Sequence, residues 1–145
     1  MGGVERVQLE AIIACALAED VSDGDPTTEV LIPKDLVGRA VIMAKVEGVL
    51  AGVKVAAAVF QKVDPSLAVN VIFEDGSELV NGSIVLKIEG SLASILKAER
   101  TALNFIQRLS GIASLTRCYV DSVVGTKANI LDTRKTTPGL RLLEK

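Results

Sequence analysis

Apolar residues recur at helical spacing near the start of the chain. Within 5–20 the intervals i, i+3, i+4, i+7 and i+8 are filled by Leu9, Ile12, Ile13, Ala16 and Leu17. Side chains at these intervals lie on one face, so the segment predicts an amphipathic helix. The run from Ser22 to Thr28 ends it, because glycine, proline and short polar side chains favour turns.

The middle of the chain changes between strand-like and helix-like patterns. Segments rich in branched residues predict β-strands at 37–46, 67–73 and 84–89. Gly48 and Gly52 bracket a predicted turn, and 75–83 is a predicted turn-rich connection. The segment 53–62 predicts a helix that ends at Pro65. Its predicted inward-facing residues are Val53, Ala57 and Phe60.

A long helical period follows Ser91, which is a predicted N-cap. Its apolar positions are Leu92, Ile95, Leu96, Leu103, Ile106, Leu109 and Ile112. Ser110 and Gly111 predict a break or kink, after which the helix is expected to resume to about Val124.

The last residues predict a short strand, a polar loop and the start of another helix. The strand is expected at 129–131 and the loop at 132–139, and the helix begins at Leu140. No glycine or proline ends that helix before Lys145, and so short a helix is stable only when packed on other residues. We therefore expect the sequence to be truncated.

Composition places the chain among ordinary folded domains. It has 145 residues, is 49% hydrophobic and carries a formal net charge of −2. This indicates one domain, or one domain and a fragment, and argues against disorder and nucleic-acid binding. No membrane span or signal peptide is predicted. Cys15 and Cys118 form no CxxC motif, which favours reduced thiols and a cytosolic setting.

Two absences limit the possible chemistry. The sequence has no histidine, no tryptophan, one tyrosine and three phenylalanines. A histidine-based triad or metal site is therefore excluded for these residues, and aromatic stacking on single-stranded nucleic acid is disfavoured. Catalysis must use lysine, arginine, acidic residues, hydroxyls or backbone amides.

The loop 132–139 carries the strongest candidate site. Arg134 and Lys135 stand side by side in a threonine-rich turn between a predicted strand and a predicted helix. Ligands of α/β folds bind at the carboxyl ends of strands. Arginine offers a planar fork for a carboxylate or phosphate, and lysine offers a mobile charge. A solvated loop without function is an equally strong interpretation of this pattern alone.

Other candidates are weaker. Arg100 and Asn104 lie four positions apart and therefore share a helix face. An exposed helix face with ordinary charges is the favoured interpretation. Cys15 and Cys118 are expected to be small core residues. The acidic residues Asp20, Asp23 and Asp25 lack the spacing of a calcium loop, so a solvated turn is expected there.

Three motifs together resemble a known family. They are ERTALNF at 99–105, LSGIA at 109–113 and DTRKTTPGLR at 132–141. Shorter pieces agree, including AED at 18–20, GDPTT at 24–28, GVLAG at 48–52, DG at 75–76 and NGS at 81–83. In this order the motifs resemble quinolinate phosphoribosyltransferase, also called nicotinate-nucleotide pyrophosphorylase (carboxylating).

The resemblance implies a fold and an activity. The implied fold class is α+β: an N-terminal α/β sandwich with a mostly antiparallel sheet (1–113, with its linking helix), followed by the first βα unit of a TIM-like α/β barrel (114–145). The implied reaction joins quinolinate to phosphoribosyl pyrophosphate and releases nicotinate mononucleotide, pyrophosphate and carbon dioxide. The family requires Mg²⁺, whose protein contacts are expected beyond this chain. It works as a cytoplasmic homodimer, or a higher oligomer, with shared sites.

The resemblance also assigns residues. Arg100 is expected to bind a quinolinate carboxylate across the dimer interface, and Arg134 to bind a carboxylate at the end of the first barrel strand. Lys135 is the expected catalytic residue, near the phosphoribosyl pyrophosphate. Further substrate contacts are expected from Thr133, Thr136 and Thr137.

The family's later His-Arg pair, second lysine, acidic contacts and glycine-rich phosphate loops do not occur in these residues, so we expect the chain to be inactive alone. A non-catalytic carrier-like module is an alternative, although Lys45 of Met43-Ala44-Lys45 is predicted inside a strand, where a modified lysine does not fit. A dimerising regulatory fragment and a related enzyme with another acid substrate also remain open.

Overall fold

The structure is a computed structural model that describes residues 3–21, 32–33 and 35–145. Its elements in chain order are α1 (Gly3–Val21), β1 (Val37–Met43), β2 (Gly48–Val49), α2 (Val53–Val63), β3 (Ala68–Val71), β4 (Glu78–Leu79), β5 (Ile84–Ser91), α3 (Leu92–Ser122) and α4 (Arg141–Glu144). Asp23 and Asp25, with the turn predicted around them, lie outside the described residues.

Helices packed on antiparallel sheets confirm the α+β class. β5 lies between β1 and β3 and pairs antiparallel with both, and β2 pairs antiparallel with β4. In β1 the alternate residues Arg39 and Val41 are exposed, while Ala40 and Ile42 are half-buried. This is the period of two expected of a strand with one covered face.

The core lies between α2, α3 and the larger sheet. Phe60, Leu50 and Leu86 are among its fully buried side chains. Burial of each such side chain contributes about 1.5–3 kcal/mol. The inward orientation of Val53 and Phe60 is confirmed, whereas Ala56 rather than the half-buried Ala57 is completely enclosed.

The stripe predicted for α1 packs on this core. Ile13 is buried, and the other four members of the stripe are partly buried against the core. The prediction that Cys15 is a core residue was wrong, because the Cys15 side chain is exposed. Two residues rotate a helix by about 200°, so Cys15 faces away from the side on which Ile13 is buried.

α3 is one continuous helix of 31 residues. The amide of Ser94 donates to the Ser91 hydroxyl at 3.3 Å, which confirms the N-cap. The break predicted at Ser110 and Gly111 was wrong. The Ser110 hydroxyl accepts from the Ala51 amide at 3.0 Å and donates to the Ala51 carbonyl at 3.1 Å, so α3 is held to the chain segment before α2.

The division predicted at residues 113 and 114 lies inside α3. It stays a prediction, since a continuous helix can belong to one domain or link two. The second half of α3 is mostly exposed, and Cys118 is exposed there instead of buried as predicted. Both cysteines are free thiols, as expected.

The short strand predicted at 129–131 was wrong. No strand is assigned to these residues, and Leu131 is 83% exposed. A strand needs a neighbour to accept and donate its backbone hydrogen bonds, and no described residues pair with this segment. The polar loop after it and the helix expected at residue 140 are confirmed, the latter as α4.

The position of Lys45 also corrects a prediction. β1 ends at Met43, and the exposed Lys45 lies in a bend rather than inside a strand. The bend joins β1 to β2, which pair with β5 and β4 and not with each other. Lys45 is therefore not at the tip of a hairpin, which is the position that a carrier lysine needs.

Candidate functional site

Two of the sequence motifs line one cavity of about 640 Å³. Thr101 and Asn104 of α3 form one wall, and Pro138 and Gly139 of the polar loop form another. Residues of α1 complete the lining, including Cys15 and Asp20. The fold thus brings residues of ERTALNF (99–105) and DTRKTTPGLR (132–141) to the same concave surface.

Arg100 does not line this cavity, but it is paired with Asp20 of α1, which does. Its Nη1 is 3.1 Å from Oδ1 of Asp20, and the Thr101 hydroxyl donates to Oδ2 of Asp20 at 3.4 Å. The Arg100 side chain is 75% exposed and that of Asp20 is 21% exposed. The expectation of an exposed helix face is therefore met at Arg100, whereas Asp20 is a half-buried helical residue and not part of a solvated turn.

The backbone of the loop is held by residues of its own motif. Arg141 donates from Nη2 to the Arg134 carbonyl at 3.0 Å and from Nε to the Thr136 hydroxyl at 3.3 Å. The Lys135 amide donates to the Thr133 hydroxyl at 3.2 Å. These bonds use backbone groups and hydroxyls, so they fix the path of the loop without using its two cationic side chains.

Arg134 and Lys135 are exposed. Among the described residues, neither side chain finds an ion-pair or hydrogen-bond partner. Neither residue lines the cavity of about 640 Å³. The structure therefore places Arg134 and Lys135 beside each other on the surface, and it does not bring Arg100 into a shared pocket with them.

Sequence reasoning missed a cluster of Arg108, Thr137 and Glu144. Arg108 donates to Oε1 of Glu144 from Nε at 2.9 Å and from Nη2 at 2.7 Å, and its Nη2 also contacts the Thr137 hydroxyl. The Thr137 amide donates to Oε2 of Glu144 at 2.9 Å. This amide, followed by the Arg108 guanidinium and the Thr137 hydroxyl, lowers the pKa of Glu144 below its ordinary value.

A pattern in the sequence could have pointed to Arg108. It lies four residues after Asn104 and eight after Arg100, so the three share one face of α3. Nothing comparable marks Glu144, because its partner Arg108 is 36 residues away.

The described residues do not form a metal centre. Across 3–21, 32–33 and 35–145, no three side chains of the types His, Cys, Asp and Glu converge to hold an ion. The Asp132 carboxylate, which is in the loop, lies 2.6 Å from Nζ of Lys145. The residues present thus do not fit Mg²⁺ by themselves, and the expected Mg²⁺ requirement stays a prediction.

Cationic and acidic groups both occur around the cavity, whose lining includes the carboxylates of Glu19 and Asp20. Four cationic side chains, Arg100, Arg108, Arg134 and Lys135, belong to the helix and loop that meet at the cavity, and only Arg100 and Arg108 have carboxylate partners among the described residues. Arginine can bind a carboxylate with two parallel hydrogen bonds.

None of the described helices is both long and apolar enough to cross a bilayer.

Comparison with known proteins gives matches along most of the chain. Residues 25–110 match the family model of the quinolinate phosphoribosyl transferase N-terminal domain, and residues 112–145 match that of the C-terminal domain. The chain is 44% identical over 138 residues to quinolinate phosphoribosyltransferase [decarboxylating] 1b of Nicotiana tabacum. It is 46% identical over 138 residues to the chloroplastic nicotinate-nucleotide pyrophosphorylase [carboxylating] of Arabidopsis thaliana.

Solved structures agree in fold. NadC from Streptococcus pyogenes superposes with a TM-score of 0.92 at 42% identity, over 96% of this chain and 50% of that one. The nicotinate-nucleotide pyrophosphorylase from Francisella tularensis gives 0.88 at 34% identity, over 94% and 49%. The chain covers 39% of each of the two plant relatives, while 94% of its own length is matched. It belongs to the quinolinate phosphoribosyl transferase family.

Proposed function

We propose that this chain contributes to phosphoribosyl transfer from phosphoribosyl pyrophosphate to quinolinate, with decarboxylation, in NAD biosynthesis. The relatives' names describe this activity, and the chain spans about two fifths of the plant relatives and half of the solved ones. The proposal therefore concerns the part of the enzyme that these 145 residues form.

One observation carries the proposal. The loop 132–139 has backbone groups and hydroxyls bonded within the motif 132–141, while the side chains of Arg134 and Lys135 are left without partners among the described residues. Both substrates are anions, and they meet only where cationic groups reduce their mutual repulsion. Two unpaired cations on a fixed loop supply such groups.

Each proposed residue has a distinct role. Arg134 binds a carboxylate of quinolinate, and Lys135 acts near the phosphoribosyl pyrophosphate, where it offsets the charge that develops as pyrophosphate leaves. Arg100 binds the other carboxylate from a neighbouring subunit, a role that its largely exposed guanidinium supports. Thr133, Thr136 and Thr137 are secondary contacts whose hydroxyls also take part in the loop's own hydrogen bonds.

The chemistry needs orientation more than acid–base groups. The quinolinate ring nitrogen donates its electron pair to the anomeric carbon as the bond from that carbon to the pyrophosphate oxygen breaks. The new pyridinium ring draws the electrons of the breaking bond to the 2-carboxylate as carbon dioxide leaves, and the ring carbon then takes a proton. Bidentate binding of both carboxylates directs the nitrogen at the sugar, so the lack of histidine is no obstacle to this outline.

The proposal includes a cytoplasmic homodimer with shared sites. Exposure of the Arg100 side chain supports a contribution to a second subunit. The Arabidopsis relative is named chloroplastic, so not every relative is cytoplasmic, and the cytoplasmic assignment is proposed from the chain's cysteine usage.

Assay of the full product of this chain's gene tests the function. Purified protein with quinolinate and phosphoribosyl pyrophosphate is expected to form nicotinate mononucleotide and carbon dioxide, while the 145 residues alone are expected to give no turnover. Arg134→Ala should weaken quinolinate binding by about 2–5 kcal/mol, as for a lost partner of a buried charge. Lys97→Ala, which removes an exposed cation from α3, is the matched control. Equal quinolinate affinity in the Arg134 variant and the control would remove Arg134 from its role.

A further inference from the structure

We propose that Arg108 and Glu144 are positioning residues, which set the conformation of the loop that presents Arg134 and Lys135. The inference rests on the proposed function and adds two residues to it. Neither residue belongs to the set that the sequence assigned to substrates.

Glu144 is placed to act as an internal anchor. Its side chain is only 8% exposed, although it carries a charge. Oε2 accepts from the Thr137 amide, and Oε1 accepts two hydrogen bonds from Arg108. One carboxylate therefore joins three parts of the chain: α3 through Arg108, the loop through Thr137, and α4 through its own backbone.

The pairing makes Arg108 a poor candidate for substrate binding. Its Nε and Nη2 are both engaged by Glu144, and Nη2 also contacts the Thr137 hydroxyl. The neighbouring carboxylate cancels the charge of the guanidinium and would repel an anionic substrate at short range. The bonds from Arg108 to Glu144 and Thr137 instead suit a structural link between α3 and the loop. Such a link needs neither a free guanidinium nor a net positive charge.

A second anchor lies on the other side of the two cations. Arg141 donates to the Arg134 carbonyl and to the Thr136 hydroxyl. The backbone from Arg134 to Thr137 is thus held from both ends, by Arg141 and by the Arg108–Glu144 pair. Fixing the backbone in advance lowers the entropy cost of ordering Arg134 and Lys135 when an anion binds.

Kinetics of the full gene product test the inference. Glu144→Gln keeps the side-chain volume and removes the charge, and Arg108→Lys keeps the charge and removes the fork. Each is expected to lower kcat/KM by about 10- to 100-fold, as for a misplaced binding group. KM is expected to rise for quinolinate and for phosphoribosyl pyrophosphate together, because Arg134 and Lys135 share the loop. Arg134→Ala should raise KM mainly for quinolinate.

The control is a similar pair elsewhere on α3. Arg117 donates from Nη1 to Oε1 of Glu78 at 2.8 Å and makes no bond to the loop. Arg117→Lys and Glu78→Gln should leave both KM values unchanged. Circular dichroism of every variant reports whether it is folded.

The possible outcomes separate the two claims. Absence of turnover by the unchanged protein overturns the proposed function and, with it, this inference. Turnover that Glu144→Gln and Arg108→Lys leave unchanged overturns the inference alone. So does a fall in kcat with both KM values unaltered, or loss of folded structure in both variants, because the pair would then support the fold in general.

Discussion

The Asp20 carboxylate and the Arg100 guanidinium lie 3.1 Å apart, although 80 residues separate them in sequence. The pair joins α1 to α3 at the edge of the cavity that the two motifs line. It also gives a proposed substrate-binding arginine a partner within its own chain, which a substrate carboxylate would have to replace.

Asp20→Asn should have a small effect on stability and a measurable effect on binding. Exposed ion pairs contribute about 0–1 kcal/mol, and the amide oxygen of the new side chain can still accept from Thr101, so the free energy of unfolding in urea should fall by less than about 1 kcal/mol. Quinolinate affinity of the full gene product should rise by up to about fivefold, since no ion pair must be broken. Glu10→Gln, which removes the Arg6–Glu10 pair, is the control. Weaker binding would show that Asp20 orients Arg100 instead of competing for it.

Mixed dimers test whether sites are shared between subunits. Arg100→Ala and Lys135→Ala each remove one proposed contribution, and each variant alone is expected to be inactive. Mixing the two should restore part of the activity, because a hybrid dimer has one site with both residues intact. The measurement is nicotinate mononucleotide formation after subunit exchange, with hybrids verified by mass. Verified hybrids without activity would contradict the borrowed arginine.

Gly52→Ala should destabilise the fold more than Gly82→Ala. Both glycines have positive φ, 86° and 91°, so alanine costs about 1–2 kcal/mol of backbone strain at each. Only at Gly52 would the new Cβ meet another group, Cδ1 of the buried Leu109 at 2.6 Å, whereas nothing lies within 4 Å at Gly82. Urea unfolding should therefore show a larger loss for Gly52→Ala, and equal losses would mean that Leu109 moves freely aside.

Asp64 should make stability depend on pH. Hydrogen bonds from the Ser66 hydroxyl at 2.6 Å, the Ser94 hydroxyl at 2.8 Å and the Ser66 amide at 2.9 Å lower the pKa of Asp64. A carboxyl whose pKa is lower in the folded state stabilises the fold above its unfolded pKa, and this contribution disappears as pH falls through the folded pKa.

The urea midpoint of the Asp64→Asn variant should thus lie below that of the unchanged chain at neutral pH. The difference between the two urea midpoints should disappear as pH falls below the ordinary aspartate pKa of about 4. Asp121→Asn, at an exposed position near the end of α3, serves as the control. A gap that is constant from neutral to acidic pH would show that the charged form of Asp64 is not what stabilises the fold.

Elements with a strong local pattern were predicted well. The Ser91 cap needs only the amide of Ser94, three residues later, and the stripe around Ile13 is a property of α1 itself. Period and capping are set by neighbours in sequence, so they can be inferred without knowing the rest of the fold.

Elements that depend on distant partners were predicted poorly. β2 and β4 pair over two residues each, too short to give a period, and were missed. The helix was expected to break at Ser110 but continues through it. The Ser110 hydroxyl bonds to the backbone of Ala51, 59 positions away in sequence. The segment 129–131 has strand-like residues but no described neighbour with which to pair.

The helical stripes, the polar loop and the family motifs follow from the sequence alone, and with them Arg100, Arg134 and Lys135 as candidates. The fold was needed to show that Asp20 pairs with Arg100, that Glu144 bonds to Arg108 and to the Thr137 amide, and that both cysteines are exposed. Residue type and spacing are local properties of the sequence, whereas the partner of a side chain depends on packing between residues tens of positions apart.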